Sequence, residues 1–349
     1  MARKVIPIQK EIVQVLKAES GISSKDLHDR LKTPVAYATV KRTLGLMVHE
    51  SQIVKYGNGR ATLYALNPSF DLLSPIDLAE YYALKDDERE IIPTFNFDLL
   101  SSLKGEPTLF TVQEMEELNS FHQEFLLRIQ NLEIPQYKSE FERLAIDLSW
   151  KSSQIEGNTY SLLETELLLK QQLTAAGKTK DEAVMLLNHK NALDFLLDHP
   201  YYIFPLRVTA IEEVHGLLTH ELNVKRNIRN RRVGISGTLY RPLDNEFQIK
   251  EALQLMCDLI NSRDNVWEKG LLALLMISYI QPFDDGNKRT ARIISNALMM
   301  YHHYCPLSFR TIDPIEYKKA LLLFYERNNL SAFKQVFIEQ YKYAVEHYF

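Results

Sequence analysis

The chain has 349 residues, of which 46% are hydrophobic and 25% are charged, and its formal net charge at pH 7 is -4. This length and apolar content suffice for two or three domains with real cores. The longest apolar runs, such as 271–280, are shorter than the roughly 18 to 20 residues of a membrane span. No charged-then-apolar signal segment opens the chain, so we expect a globular cytoplasmic protein with no membrane partner.

The charge is unevenly distributed along the chain. Residues 1–70 contain 11 Lys and Arg against 5 Asp and Glu, so they carry +6 and the remainder carries -10. A basic end of this kind is the part of a protein to test for nucleic-acid binding.

The first elements predicted are three helices. Apolar residues recur at helical spacing over 8–17, and Ser20-Gly21 ends that helix. Ser23 or Ser24 then caps a short helix that contains Leu27 and Leu31. After Pro34, a third helix is predicted from about residue 38 to 49.

Two strands are predicted next, 52–56 and 62–66, on either side of the turn residues 57–59. Three helices followed by a two-stranded wing resemble a winged helix-turn-helix over residues 6–67. We therefore assign a small α+β domain to residues 1–70.

Four cations of this domain lie where winged helices contact phosphates and groove edges: Lys41 and Arg42 on the third helix, and Lys55 and Arg60 around the hairpin tip. DNA binding is one hypothesis that they support. Protein contact or dimerisation through the same domain is the other.

In residues 71–110, prolines and acidic residues interrupt any long periodic pattern. This segment is predicted to be a linker with a small irregular subdomain. Helical patterns dominate over 111–349. The stretch 227–242 is the exception: Val233 and Ile235 alternate before Gly237, which predicts a β-hairpin.

The most informative segment is Gln281-Pro282-Phe283-Asp284-Asp285-Gly286-Asn287-Lys288-Arg289-Thr290-Ala291-Arg292. It follows an apolar helix over 266–280 and leads into another over 290–300, so it is a tight loop at a helix N-terminus. Such a position binds anions, since its free amides and the helix dipole both favour negative charge.

Arg289 and Arg292 add guanidinium groups on one helix face. A polyphosphate would fit there, and Asp285 could ligate a bridging magnesium ion. An ordinary helix corner with a solvated basic face is the alternative reading.

The whole segment resembles the Fic family signature, His-x-Phe-x-Asp/Glu-Gly-Asn-Gly/Lys-Arg-x-x-Arg, at every position except the first. The resemblance implies a mainly α protein, with a Fic helical core and one β-hairpin flap, that transfers AMP from ATP to a hydroxyl of a target protein. It also implies that Asp285 ligates the metal, that Arg292 holds the terminal phosphate, and that the α- and β-phosphates bind four residues: Gly286, Asn287, Lys288 and Arg289.

A second match lies upstream, where Ser152, Glu156 and Gly157 fit the family's inhibitory helix, expected near 145–157. In relatives this glutamate pairs with the second arginine of the motif, here Arg292, and removes the partner of the γ-phosphate. Without the family, the segment is a helix end with glycine in the left-handed position.

The third match is the predicted hairpin, which resembles the family's flap. By that resemblance the flap aligns the target chain beside the nucleotide through four residues: Gly237, Thr238, Leu239 and Tyr240. Any hairpin inserted between helices would look similar.

The departure from the signature is Gln281, which occupies the place of the catalytic histidine. An amide does not titrate near neutral pH, so it cannot act as the general base, whose contribution is typically about 10²- to 10⁴-fold. No other histidine obviously substitutes: His215 is predicted to be a packed core residue, and His302 and His303 are roughly 15 Å away along the helix axis.

Two classes of function therefore remain open. One is an autoinhibited adenylyltransferase of low or conditional activity, with ATP and Mg²⁺ as cofactors and a Ser, Thr or Tyr hydroxyl of another protein, or of itself, as substrate. The other is a catalytically degenerate nucleotide-binding protein that acts as a DNA-binding regulator through its winged helix. Because relatives in the Fic family form dimers, a homodimer is one of the oligomeric states that the resemblance implies.

Overall fold

The computed structural model of the chain describes residues 7–50, 52–67, 69–105 and 108–349. Within these ranges the protein is mainly helical, with three short strands near the N-terminus. None of the helices in the described ranges combines the length and the apolar character that crossing a bilayer needs.

The N-terminal unit, residues 7–66, has a core of its own. Its helices are α1 (Pro7–Ala18), α2 (Ser24–Arg30) and α3 (Tyr37–His49), and its strands are β1 (Ile22–Ser23), β2 (Ile53–Tyr56) and β3 (Leu63–Leu66). Apolar residues spaced for one helix face form its core, among them Ile12, Leu27 and Leu44. The predicted helices and the β2–β3 pair are confirmed as elements, and Ser23 is the cap of α2. The sheet order β1-β3-β2 adds a strand that the sequence did not predict.

Residues 69–105 hold three short helices, α4 (Phe70–Leu73), α5 (Leu78–Ala83) and α6 (Asp98–Gly105). They are not an independent body, because Leu72, Phe95 and Leu103 are buried in the large core of the helices that follow. Tyr81 and Arg89 meet the buried carboxylate of Glu326 in that unit, at 2.8 and 3.4 Å.

The helical unit, residues 108–349, contains ten helices within the described part of the chain: α7 (Val112–Gln130), α8 (Ile134–Ile155), α9 (Leu162–Gln171), α10 (Lys180–Asp198), α11 (Val208–Leu218), α12 (Glu246–Ser262), α13 (Val266–Ile280), α14 (Asn287–Tyr301), α15 (Pro314–Arg327) and α16 (Ser331–His347). All residues of α13 are buried. From 270 to 280 its sequence is apolar except for Ser278, and near its start Glu268 pairs with Arg263 while Lys269 donates to Ile260 O. Helix α14 packs closely beside α13, and α8, α10 and α11 also contact α14.

The β-hairpin predicted over 227–242 is wrong as a pair of strands. Within the described residues, this segment forms no ladder, and Arg241 makes a single isolated bridge to Thr94. The reason lies in where its backbone groups find partners: the N–H of Arg229 donates to Pro282 O at 3.0 Å, and that of Arg241 to Pro93 O at 2.9 Å. The chain here is held by its surroundings instead of by pairing with itself.

Candidate functional site

The loop between α13 and α14 requires two residues in the left-handed backbone region. Gln281 is the residue directly after α13, with φ 51°, and Gly286 is the residue directly before α14, with φ 80°. A Cβ at position 286 would lie 3.2 Å from Thr219 Cγ2, a tight contact that requires the neighbouring side chain to move by a few tenths of an ångström. Glycine is therefore needed at 286 for both its backbone conformation and its size.

Asn287 fixes the shape of this loop through its side chain. Its Oδ1 accepts from the N–H of Phe283 at 2.8 Å, while its Nδ2 donates to Phe283 O at 2.8 Å and to Gln281 Oε1 at 3.1 Å. Because all three contacts are buried, the loop is rigidly joined to the first turn of α14.

His215 supports the loop from beneath, and it is completely buried as the sequence predicted. Its ring stacks on Phe283 with a centroid distance of 3.7 Å, and its Nε2 lies 2.9 Å from Asp285 O. Burial lowers the pKa of His215 to about 4, so the ring is neutral at pH 7. The sequence carried no signal for this contact, since 70 positions separate the two residues.

Arg289 and Arg292 project from α14 and are buried, with exposed fractions of 2% and 0%. Arg289 Nη2 donates to Asp285 Oδ2 at 3.1 Å. Within the described residues, Nε and Nη1 of Arg289 and Nη1 of Arg292 have no hydrogen-bond partner. Burying a guanidinium group without hydrogen-bond partners is unfavourable in free energy. Two such groups with unused donors therefore favour the binding of an anion.

Glu156 occupies the partner position of Arg292. It follows the last residue of α8, and Arg292 Nη2 donates to Glu156 Oε1 at 2.9 Å. Arg292 Nε also donates to Ser152 Oγ at 2.9 Å, and Lys288 Nζ lies 3.5 Å from Glu156 Oε2. Burial acts to raise the pKa of the Glu156 carboxyl, but Arg292 and Lys288 together hold it below its ordinary value. Gly157, with φ 101°, then turns the chain away.

A cavity of about 320 Å³ lies over the loop and the start of α14. Its lining combines the C-terminal end of α8, the irregular segment before α12 and one side of α15 with the loop itself. The residues that line it are Glu156, Val233, Gly234, Ile235, Ser236, Gln281, Asp284, Asp285, Gly286, Asn287, Lys288, Arg289, Lys318, Leu321, Leu322 and Tyr325. Gln281 and residues 284–289 of the motif thus share one solvent-accessible space with Glu156, whereas Arg292 is not part of the lining.

Gln281 borders this cavity with both polar atoms of its side chain engaged inside the protein. Its Nε2 donates to Ser278 O at 2.6 Å, and its Oε1 accepts from Asn287 Nδ2. The residue as a whole is 8% exposed. In this geometry Gln281 closes the C-terminal end of α13.

Asp285 differs from its neighbour Asp284. The Asp285 side chain is 69% exposed, whereas that of Asp284 is 10% exposed and accepts from Arg231 Nε at 2.7 Å. The described residues contain no cluster of three or more His, Cys, Asp or Glu that could hold a metal by themselves. A magnesium ion that takes one carboxylate and otherwise phosphate oxygens and water is compatible with Asp285.

None of the four residues predicted for a target flap, 237–240, lines the cavity. Tyr240 is buried, stacks on Tyr279 at 4.7 Å and donates its hydroxyl hydrogen to Tyr279 O. Leu239 is exposed, and neither it nor Gly237 or Thr238 lines the cavity. The part of the segment that borders the cavity is 233–236 instead.

The basic residues predicted to contact DNA belong to the N-terminal unit and lie outside this cavity. Lys41, Arg42 and Lys55 are exposed, and Lys41 Nζ lies 5.5 Å from the ring centroid of Tyr37. The side chain of Arg60 is outside the described part of the structure.

Comparison with known proteins places the motif in a recognised family. Residues 205–299 match the Fic/DOC family. Protein adenylyltransferase fic-1 of Caenorhabditis elegans is 26% identical over 177 residues, which are 48% of this chain and 34% of that protein. Protein adenylyltransferase Fic of Nematostella vectensis is 29% identical over 184 residues, which are 49% and 41%. The chain therefore spans only 34% to 41% of the length of these curated relatives.

Solved structures show the same fold. A C. elegans Fic-1 structure superposes with a TM-score of 0.60 at 20% identity, covering 72% of this chain and 80% of that one. A Fic domain-containing signalling protein of Bacteroides thetaiotaomicron gives a TM-score of 0.58 at 18% identity, covering 66% and 94%. At this identity the likeness speaks for the fold alone.

Proposed function

Residues 205–299 are a Fic/DOC family domain, and from this premise we propose that the chain is a protein adenylyltransferase that transfers AMP from ATP to a hydroxyl of a protein. The observation that carries the proposal is a pair of buried guanidinium groups near a helix N-terminus. Arg289 lines the cavity, and Arg292, about one turn further along α14, donates to Glu156, which lines it too. The names of the curated relatives support the same reaction.

The phosphate cradle in this proposal consists of the start of α14 and its two arginines. The backbone at Gly286, Asn287, Lys288 and Arg289 receives the α- and β-phosphates, because the first amides of a helix lack acceptors and the helix dipole favours anions there. Arg292 holds the terminal phosphate. Asp285, which is exposed beside the cradle, is the proposed ligand of Mg²⁺, an ion that neutralises phosphate charge when bound.

Autoinhibition is proposed for Glu156 because it occupies two donors of the cradle at once. Its carboxylate contacts Arg292 at 2.9 Å and Lys288 at 3.5 Å. A γ-phosphate would compete for the same charges. ATP therefore binds productively only when Glu156 is displaced, and Ser152 and Gly157 hold the end of α8 in the blocking position.

Gln281 makes the transfer slow or conditional in this proposal. It cannot accept a proton from the attacking hydroxyl, and both of its polar atoms are used within the protein. The remaining rate enhancement comes from charge stabilisation by the cradle. The protein substrate presents a Ser, Thr or Tyr hydroxyl beside the segment 233–236, the part that lines the cavity, and a second copy of this chain is one such substrate.

A second candidate function follows from the same residue and from the N-terminal unit. With Gln281 in the place of a base, the domain can bind nucleotide without transferring it, and exposed Lys41, Arg42 and Lys55 can bind DNA phosphates. The protein would then be a nucleotide-responsive regulator. The winged-helix assignment on which this candidate depends remains a prediction.

One experiment separates the two candidates. The full chain is incubated with Mg²⁺ and ATP labelled on the α-phosphate, alone and with cell extract, as wild type and as Glu156→Gly. The enzyme proposal expects labelled protein, in larger amount with Glu156→Gly, and none with a Gly286→Ala/Arg292→Ala double variant. Glu166→Gly is the matched control, because it removes a carboxylate from an exposed ion pair of 2.8 Å to Lys170.

Calorimetry on the same variants supplies the other half of the test. Heat of ATP binding without any labelled protein supports the regulator. If Glu156→Gly binds no purine triphosphate, both candidates lose the cradle on which they depend.

A further inference from the structure

His215 is a buried polar residue that the proposed reaction does not use. Its ring lies against Phe283 with an interplanar angle of 6°, and its Nε2 is 2.9 Å from the carbonyl oxygen of Asp285. The other ring nitrogen, Nδ1, is 3.3 Å from Arg226 O. Because the neutral ring carries one N–H, the shorter contact assigns the hydrogen to Nε2.

The Asp285 carbonyl determines where the next amide points. In a planar trans peptide, the C=O and the following N–H point in opposite directions. The oxygen of Asp285 faces His215 in the core, so the N–H of Gly286 faces the opposite side, where Gly286 lines the cavity. Within the described ranges, this N–H donates to no acceptor of the protein.

The space around His215 leaves little freedom for another arrangement. A Cβ on Gly286 would lie 3.4 Å from the Nε2 and Cδ2 atoms of His215, so the loop rests directly on the ring. A loop in van der Waals contact with a fixed ring keeps its orientation, since turning the peptide over would break the buried hydrogen bond and leave both groups unsatisfied.

We infer that His215 is a positioning residue for the cradle: its Nε2–H holds the Asp285–Gly286 peptide so that the Gly286 amide faces the phosphates. The inference rests on the proposed function of the cavity for its ligand, but the orientation of the peptide can be measured without any ligand.

Two amide substitutions separate the two contacts of the ring. In His215→Gln the side-chain N–H₂ can take the place of Nε2, and in His215→Asn it can take the place of Nδ1. Both variants lose the stacking on Phe283, so they form a matched pair. Both substitutions are made in the full chain carrying Glu156→Gly, which is the parent. We expect His215→Gln to bind Mg-ATP nearly as tightly as the parent does, and His215→Asn to bind it about ten-fold more weakly, although the two variants have the same Tm.

A second measurement reads the peptide directly. The chain has 12 glycines, so protein labelled with ¹⁵N-glycine gives a small amide spectrum, and Gly286→Ala identifies the signal of interest. We expect His215→Gln to leave the Gly286 signal near its wild-type position and His215→Asn to move it.

The outcomes distinguish the inference from the proposed function. An unmoved Gly286 signal in His215→Asn, or equal Mg-ATP affinity of the two variants, overturns the positioning role. If the parent binds no nucleotide but His215→Asn still moves the signal, the proposed function fails and the positioning role of His215 stands.

Discussion

Two parts of the molecule carry positive charge in opposite ways. In the N-terminal unit, Lys41 and Arg42 are exposed on α3. In the helical unit, Arg289 and Arg292 are almost completely buried. An exposed cation needs no partner, because water solvates it, whereas a buried guanidinium is tolerated only where other elements supply charges and acceptors. The buried pair, Arg289 and Arg292, therefore requires surrounding elements that accommodate its charge. An exposed pair such as Lys41 and Arg42 can occur on any solvated helix face.

The same contrast holds for packing. The N-terminal unit has its own small core, and exposed ion pairs connect it to residues 69–105, at Lys10–Glu80 and Lys17–Asp71. The site in the helical unit is part of the largest core of the described structure. Substitutions in the two regions should then have effects that add independently, since distant residues without shared partners rarely couple.

The largest effect is expected for Arg292→Ala. It leaves the partly buried carboxylate of Glu156 without its main partner, and breaking one side of a buried pair typically costs about 3–5 kcal/mol. Denaturant unfolding of the full chain measures the loss. The Arg292→Ala/Glu156→Gly double variant should recover part of it, because the carboxylate that lost Arg292 is then absent and only the partly exposed Lys288 loses a partner. A single variant as stable as wild type would contradict the pairing.

The next largest effect is expected for Gly286→Ala. A comparison with Gly21→Ala separates backbone strain from the contact that the new methyl group makes. Gly286 and Gly21 have similar φ values of 80° and 78°, but a Cβ at Gly21 meets nothing within 4 Å. Gly21→Ala should lose about 1–2 kcal/mol of stability from the left-handed conformation alone. Gly286→Ala should lose more, because the new methyl meets Thr219, and it should also weaken Mg-ATP binding. Equal losses of stability in both variants would show that the loop at 286 can relax.

A smaller effect is expected from pH. The pKa of Glu156 is lowered in the folded state, so its ion pair stabilises the fold above the ordinary carboxyl pKa of 4.5 and is lost as pH falls through the lowered value. The Tm of wild type should exceed that of Glu156→Gln at pH 7, and the difference should shrink below about pH 4.5. Thermal melts across this range measure it. A difference that grows on acidification would mean that Glu156 is protonated in the folded protein at neutral pH.

The smallest effect on stability is expected for Lys41→Glu/Arg42→Glu. Both residues are exposed, so the free energy of unfolding should change by no more than about 0.5 kcal/mol per site. The regulator candidate, by contrast, expects DNA affinity to fall sharply and to lose much of its salt dependence. Lys138→Glu/Lys225→Glu, at two exposed positions of the helical unit, is the charge-matched control. Equal DNA affinity in both double variants would exclude α3 as a DNA-binding helix.

Local pattern was a good guide wherever neighbouring residues decide the structure. The helix over 266–280, the loop after it and the first three helices were predicted from apolar spacing, Pro and Gly, and each is present. Such features depend on side chains three or four positions apart, which the sequence shows directly. The residues of the motif itself could be identified in the same way, because they lie within twelve consecutive positions.

The failed hairpin shows where this guidance stops. Alternation at Val233 and Ile235 is compatible with a strand, but pairing depends on which acceptors are within reach, and here Pro282 and Pro93 take two of the N–H groups. The same limit applies to Glu156 and Arg292, which are 136 positions apart and meet at 2.9 Å. Family resemblance suggested that contact, whereas nothing in the spacing of the two residues could.

By itself, the sequence determined that a glycine-containing loop with two arginines enters a helix, because each requirement of that turn is met by an adjacent residue. Only the tertiary structure decided that these arginines are buried, that Glu156 faces them and that His215 holds the Asp285 carbonyl. Those contacts join helices from distant parts of the chain, and their distances depend on how the whole core packs.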